Sequence, residues 1–171
     1  LSVMVGGSAG LIRGGNPDSD LNGLYQIALL ESEWESEQWL RHIAPFVQDT
    51  LGQDFGSMYA DTGVVSGAGA LALTNSDRSL LLFWQEGPNH SYSDGGNSTL
   101  SIDLGGMTGS YSGWWINPRS AEFSDAGVFS GGVSRSLETP TPDDWALLLT
   151  SGGTPPPSTL TPRPPTGLKA E

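Results

Sequence analysis

Residues 70–150 are cut into short apolar runs separated by Gly, Asn, Asp and Ser, and that rhythm restricts the chain to antiparallel β-structure. Residues 79–85 (SLLLFWQ) form a continuous apolar run, too short for a helix and apolar on both parities. A strand of that composition is expected to be buried on both faces. Residues 99–104 alternate instead, with Leu100, Ile102 and Leu104 on one parity and Ser101 and Asp103 on the other, as a half-buried strand requires. Residues 70–74, 109–117, 127–130, 133–138 and 144–150 complete the series. Short strands at this spacing predict a mainly β fold, an antiparallel β-sandwich.

The upstream third follows a different pattern. Residues 1–15 (LSVMVGGSAGLIRGG) are small and apolar, with a short strand expected near residues 10–13, and residues 16–20 (NPDSD) read as a turn. Leu24, Ile27 and Leu30 have helical spacing, and a clearer helix is expected from about residue 33 or 37 to Leu51, with Trp39, Ile43, Phe46, Val47 and Leu51 on one stripe. Pro45 interrupts that stripe and predicts a kink or a break. Residues 52–69 read as a connection. Helical pattern first and strands afterwards imply two units, not an alternating βαβ chain. At the other end, residues 151–165 (SGGTPPPSTLTPRPP) cannot bury a core and predict an extended linker. Because a linker joins two things and the chain opens inside an apolar run, a longer modular protein is expected, with any signal peptide upstream of Leu1.

Charge narrows the partners. A formal net charge of -12 opposes tracking of a phosphate backbone and anchoring to anionic membranes, leaving a neutral partner as the best fit. There is no Cys, hence no disulfide frame and no thiolate metal site. No run reaches the roughly 18 apolar residues of a membrane span. The Gly6, Gly7, Gly10 set lacks the spacing and acidic partner of a nucleotide loop. Residues 91–97 (SYSDGGN) lack the ligand spacing of a calcium loop and read as a turn. Neither a metal nor a cofactor is expected.

Two clusters carry a resemblance: SYSGWWINPR at residues 110–119 and DDWALLL at 143–149. Together they resemble the C-terminal β-sandwich of apiosidase-like bacterial glycoside hydrolases, a module that goes by the name of a collagen-binding domain of a collagenase. The family markers correspond to Trp115, Ile116, Asn117, Pro118 and Arg119, and to Asp143, Asp144, Trp145, Ala146 and Leu147. The resemblance implies that residues 1–60 are the end of a catalytic (β/α)8 barrel, its last strand and helix, the latter carrying Gln38 and His42. Residues 61–151 would be the sandwich, packed against that barrel, and 152–165 the linker. Residues 164–170 (PPTGLKA) resemble the first strand of a fibronectin type III domain, so 166–171 would begin a further module. The implied parent is a secreted enzyme acting on polysaccharide, of plant type.

Glycoside hydrolysis needs two carboxylates flanking the scissile bond, about 5–5.5 Å apart for retention and wider for inversion. In the resembled family both lie upstream of the last barrel strand, so no catalytic residue is expected here. Asp18 and Asp20 sit in a turn, and Asp143 and Asp144 read as residues that open a strand. Where the family has Tyr-Gly-His-Asn after the last barrel strand, this chain has Arg13, Gly14, Gly15 and Asn16; Arg13 and Asn16 are the candidates for substrate contact. Trp114 and Trp115 are adjacent, so a strand aims them at opposite faces. One belongs to the core. The other packs against the barrel or, with Tyr111, forms an aromatic platform for a sugar. The alternatives for the sandwich are thus a carbohydrate- or collagen-binding module and a structural spacer.

Overall fold

Among the described residues nine strands, all paired antiparallel, build two sheets that pack face to face. The structure, a computed structural model, describes residues 46–88 and 96–152. The strand near residues 10–13, the turn at 16–20, the helical pieces up to residue 45, the loop at 91–95 and residues 153–171 lie outside the described residues. So do Arg13, Asn16, Gln38 and His42.

The strands are β1 (Tyr59–Ala60), β2 (Val65–Ser66), β3 (Ala70–Thr74), β4 (Leu80–Gln85), β5 (Thr99–Asp103), β6 (Ser110–Ile116), β7 (Phe123–Ser130), β8 (Ser134–Glu138) and β9 (Trp145–Ser151). The large sheet runs β1-β3-β4-β9-β6-β7 and the small one β2-β5-β8. The mainly β, sandwich-like architecture expected from the sequence is therefore the fold. In the small sheet Leu100, Ile102 and Leu104 point inward and are buried, as their alternation predicts. Its outward face is a ladder of hydroxyls and carboxylates: Thr99 donates to Glu138 at 3.0 Å, Ser101 meets Ser136 at 3.1 Å, and Ser134 donates to Asp103 at 2.9 Å.

The large sheet differs because both of its faces are apolar. On the inner face Leu81, Phe83, Leu147, Leu149, Tyr111, Trp115 and Phe129 join the small sheet's side chains in the main core. On the outer face Leu73, Leu80, Leu82, Ile116, Ala146 and Leu148 form a second buried cluster, with Trp84, Trp114 and Phe123 packed against it. The run LLLFWQ thus contributes to both layers, which is why it does not alternate. Buried Gly113 sits where a Cβ would collide with the ring of Phe129 and lie 3.0 Å from Leu149 Cδ2. The inner layer has room there only for hydrogen.

Four departures from the sequence reading have physical causes. Where a helix reaching Leu51 is expected, the described residues form a single π-helical turn, Phe46–Leu51, followed by a 3₁₀ turn, Gly52–Ser57. Residues five apart share a side of a π turn, whereas a regular α-helix separates them by about 140°. Phe46 and Leu51 both reach the outer cluster, and Val47 is not part of it. The connection expected over 52–69 contains β1 and β2, two-residue strands too short to show any periodicity. Strand β7 starts at Phe123, not 127, because it is an edge strand whose first half is mostly exposed and lacks apolar alternation. Between Gly113 and Trp114 its register slips, leaving Ala126 unopposed as a bulge, which blunts the edge.

If the large sheet is covered on both sides, Leu147→Ala and Leu148→Ala should each cost about 2–5 kcal/mol in denaturant unfolding. A solvated outer face would leave Leu148→Ala near neutral. A second expectation concerns acid. The Gly105 N–H, first, and the Ser134 hydroxyl hold the Asp103 carboxyl below its ordinary value. Its stabilising contribution is complete above the unfolded-state value and fades as pH falls through the lower folded one. Asp103→Asn should lower stability slightly at neutral pH and flatten the acid limb of a stability–pH curve below about pH 4, so that the two proteins converge in acid.

Candidate functional site

The residues marked by the two sequence clusters meet at one corner of the large sheet. Strand β6 ends beside the start of β9, the last pair being Ile116 with Ala146. Antiparallel pairing therefore places 117–119 next to 143–145. Asn117 folds the chain back on itself: its side-chain oxygen accepts the Arg119 N–H at 2.9 Å, and its carbonyl accepts the Ala121 N–H at 2.8 Å. Pro118 fits this turn because it needs no N–H partner. The buried Ala121 takes a left-handed conformation, φ 57, which a side-chain residue holds only where surroundings fix it.

Arg119 reaches across to the other cluster. Its guanidinium donates to the Asp144 carbonyl at 3.4 Å and approaches the Asp143 carboxylate at 3.7 Å. Both side chains of that ion pair keep about a quarter to a third of their surface in water (27% and 36%), so the pair itself contributes little. Asp143 also accepts the Thr141 hydroxyl at 2.8 Å, and Thr141 in turn accepts the Trp145 indole N–H at 3.0 Å. Asp144 is the buried member and accepts the Gly87 N–H at 2.9 Å. That bond requires close backbone approach: a Cβ on Gly87 would collide with the Asp143 backbone, and one on Gly96 with the Gly87 carbonyl. Beneath the corner, Trp115 and Trp145 pack edge to face, centroids 6.4 Å apart at 78°.

Trp115, Asn117, Pro118, Arg119, Asp143, Asp144 and Trp145 are thus one interlocked unit. Its chemistry is that of a clamp. The two carboxylates bind backbone and hydroxyl donors, and the indoles fill the core. The Trp114–Tyr111 pair has a different fate. Tyr111 is buried in the inner core, whereas Trp114 packs half-buried on the outer face. An odd separation along one strand sends them to opposite sides, so the two rings share no surface. Phe123 on β7 and, two strands away on β4, Trp84 share the outer face with Trp114. The place of Trp84 was implicit in the two-faced run at 79–85.

Gln85 was not singled out by the sequence and deserves a place beside these residues. It is fully buried at the same end of the sheet, paired with Trp145. Its amide donates to the Ala68 and Glu86 carbonyls at 3.1 and 2.9 Å. The N–H groups tie the 66–69 turn to the clamp. Among the described residues no group of three or more His, Cys, Asp or Glu is placed to hold a metal ion, and no helix is long and apolar enough to cross a membrane.

No protein-family model and no curated protein matches the sequence. Solved structures do resemble the fold, two glycoside hydrolases among them. A crystal structure of a glycoside hydrolase of family 5 from Bacteroides vulgatus ATCC 8482 aligns with a TM-score of 0.52 and 16% identity, over 73% of this chain and 27% of that one. A second, described as a glycoside hydrolase, aligns at 0.49 and 14%, over 65% and 25%. The chain spans about a quarter of the length of each. At these identities the likeness is one of fold.

A clamp and a catalytic pair respond differently to substitution. Asp144→Ala should destabilise the chain by about 1–3 kcal/mol, the cost of leaving a buried N–H unpaired. Asp144→Asn, which keeps an acceptor oxygen, should cost less. Thermal or denaturant unfolding reads both.

Proposed function

We propose that residues 61–151 are the non-catalytic accessory β-sandwich of a glycoside hydrolase, whose work is to pack against and brace the catalytic domain. The observation that carries this reading is the second apolar face of the large sheet. A free-standing binding module commonly keeps one face of an antiparallel sheet in water. Here Leu73, Leu82, Ile116 and Leu148 line a buried outer layer, onto which Phe46, Leu51, Phe55 and Met58 fold from upstream. The marker residues being a clamp agrees with this role. So does the similarity of fold to a family 5 enzyme in which the aligned part is 27% of the chain.

In the finer form of the proposal the parent is an apiosidase-like, secreted bacterial enzyme acting on plant-type polysaccharide side chains. Residues 1–60 end its (β/α)8 barrel, with Arg13 and Asn16 at the substrate face. Residues 152–165 are the linker, and 166–171 open a fibronectin type III-like module. Support comes from the two sequence clusters and their spacing. The second reading, a carbohydrate- or collagen-binding module, is favoured by one feature: Trp84 and Trp114 are only partly buried on the outer face.

The full chain, incubated with pectic side-chain oligosaccharides, should give no turnover. Titrated with a glycan panel and with collagen, it should bind neither. Trp114→Ala should lower Tm by several degrees, as loss of packing in a small domain does. Turnover would sink the accessory reading. Binding that disappears in a Trp114→Ala variant with unchanged Tm would favour the module.

A further inference from the structure

The two sheets leave four strands with an open side: β1 and β7 in the large sheet, β2 and β8 in the small one. An open edge carries unpaired N–H and C=O groups that can template pairing with another chain, so edges are usually shortened, bulged or charged. Strands β1 and β2 have two residues each, and β7 carries the bulge at Ala126. Strand β8 is different. It runs five residues, Ser134–Glu138, in unbroken register with β5, without Pro, Gly or Lys. Ser134, Arg135, Ser136 and Glu138 are all exposed. Among the described residues β8 is the one long edge with neither bulge nor Pro.

The hydrogen-bond pattern shows which groups this edge offers. The Val133 carbonyl accepts the Leu104 N–H, and the Thr139 N–H donates to the Ser98 carbonyl, both across to the β5 side. Backbone groups alternate sides along an antiparallel strand. Those of Arg135 and Leu137 therefore also face β5, whereas the N–H and C=O of Ser134, Ser136 and Glu138 face outward. The side chains around them complement their own copy. Two β8 strands paired antiparallel about a two-fold axis at Ser136 set Ser136 opposite Ser136, Ser134 opposite Glu138, and Arg135 opposite Leu137. That register joins hydroxyl to carboxylate, the pairing that already links Thr99 to Glu138 and Ser134 to Asp103 within the sheet. The neighbouring registers are poorer. An axis at Arg135 opposes two guanidinium groups, and like charges directly opposite are destabilising. An axis at Leu137 sets Pro140, which has no N–H, opposite Ser134. We propose that β8 is a self-association edge: two copies of this chain pair through it, antiparallel and centred on Ser136, joining two three-stranded sheets into one of six strands. One strand edge buries little surface, so the dimer belongs to the weak, transient class below about 1,200 Å². The edge is a different surface from the outer face of the large sheet, and the proposal stands independently of the hydrolase reading.

The test uses the full chain at about 0.15 M salt, where repulsion between two acidic copies is screened beyond about 8 Å. Sedimentation equilibrium should show a mass that rises with protein concentration toward twice that of the monomer. Ser136→Pro removes an outward N–H and leaves the bonds to β5 in place, as Pro on an edge strand can. It should keep the chain monomeric with Tm nearly unchanged. The sequence has no Cys, so Ser136→Cys introduces a single thiol. Opposed residues of a hydrogen-bonded pair have Cα atoms about 5.5 Å apart, within disulfide reach. Under mild oxidation Ser136→Cys should therefore form a disulfide-linked dimer about tenfold faster or more than Ser130→Cys, on the exposed end of β7. If Ser136→Pro unfolds the chain, the cysteine comparison decides. A mass that stays monomeric up to about 1 mM, equal rates for the two cysteine variants, or a dimer that persists in a folded Ser136→Pro chain would each overturn the proposal. So would a monomer whose Ser136 amide resists hydrogen exchange, because another segment of this chain would then cover the edge.

Discussion

Strand β9 is the constraint on which the rest depends. It lies between β4 and β6, hydrogen-bonded on both sides, and its two faces feed two different apolar layers. The pairings set up rows across the sheet: Phe83, Leu147 and Trp115 on the inner face, Leu82, Leu148 and Trp114 on the outer. A one-residue slip of β9 would exchange the rows and carry Trp145 out of the main core, where it packs on Trp115. Register is therefore fixed twice over, once from each face. This is unusual for an antiparallel sheet, which can leave one face to water.

The corner clamp follows from that register. Once Ile116 stands opposite Ala146, the residues after β6 and before β9 must meet, although they are far apart in sequence. Arg119 then finds the Asp144 carbonyl, Asp144 finds the Gly87 N–H at the exit of β4, and Trp145 stacks edge to face on Trp115. Three consecutive strands of the sheet are locked at one end by a handful of polar contacts over an aromatic base. Such a cluster holds a fixed spacing in the sequence for reasons of geometry. Its Asp and Arg residues need no substrate to explain them.

The parts of the fold written in local pattern were legible. Residues 99–104 alternate because only one of their faces is buried, and 79–85 do not because both are. What local pattern lacks is context. Nothing in the two residues of β1 or β2 marks them as strands; pairing with β3 and β5 does. The first half of β7 is an edge, so its Ser124 and Asp125 follow solvent and not the core. The π turn at Phe46–Leu51 does not follow the α-helical period, so the apolar spacing there does not mark it. For the candidate site, the clamp residues were legible as a set but not as a clamp, since their partners Gly87, Gln85 and Thr141 carry no signal of their own. The separation of Tyr111 from Trp114 was available all along: three positions apart in a strand is an odd number.

The outer face also bears on what Trp114 can do. Burying an aromatic ring of this size removes about 150–250 Å² from water, so half-burial at about 25 cal/mol/Å² is a stabilisation of roughly 2–3 kcal/mol. A ring that stacks on a sugar must present its face freely, and Trp114 already uses part of its surface on Leu148's layer. A ligand would have to add to that packing without displacing it. The free position on the same face is Val128, which is aliphatic and offers no π-surface. Shape and chemistry on this side of the sheet therefore suit another apolar protein surface better than a carbohydrate.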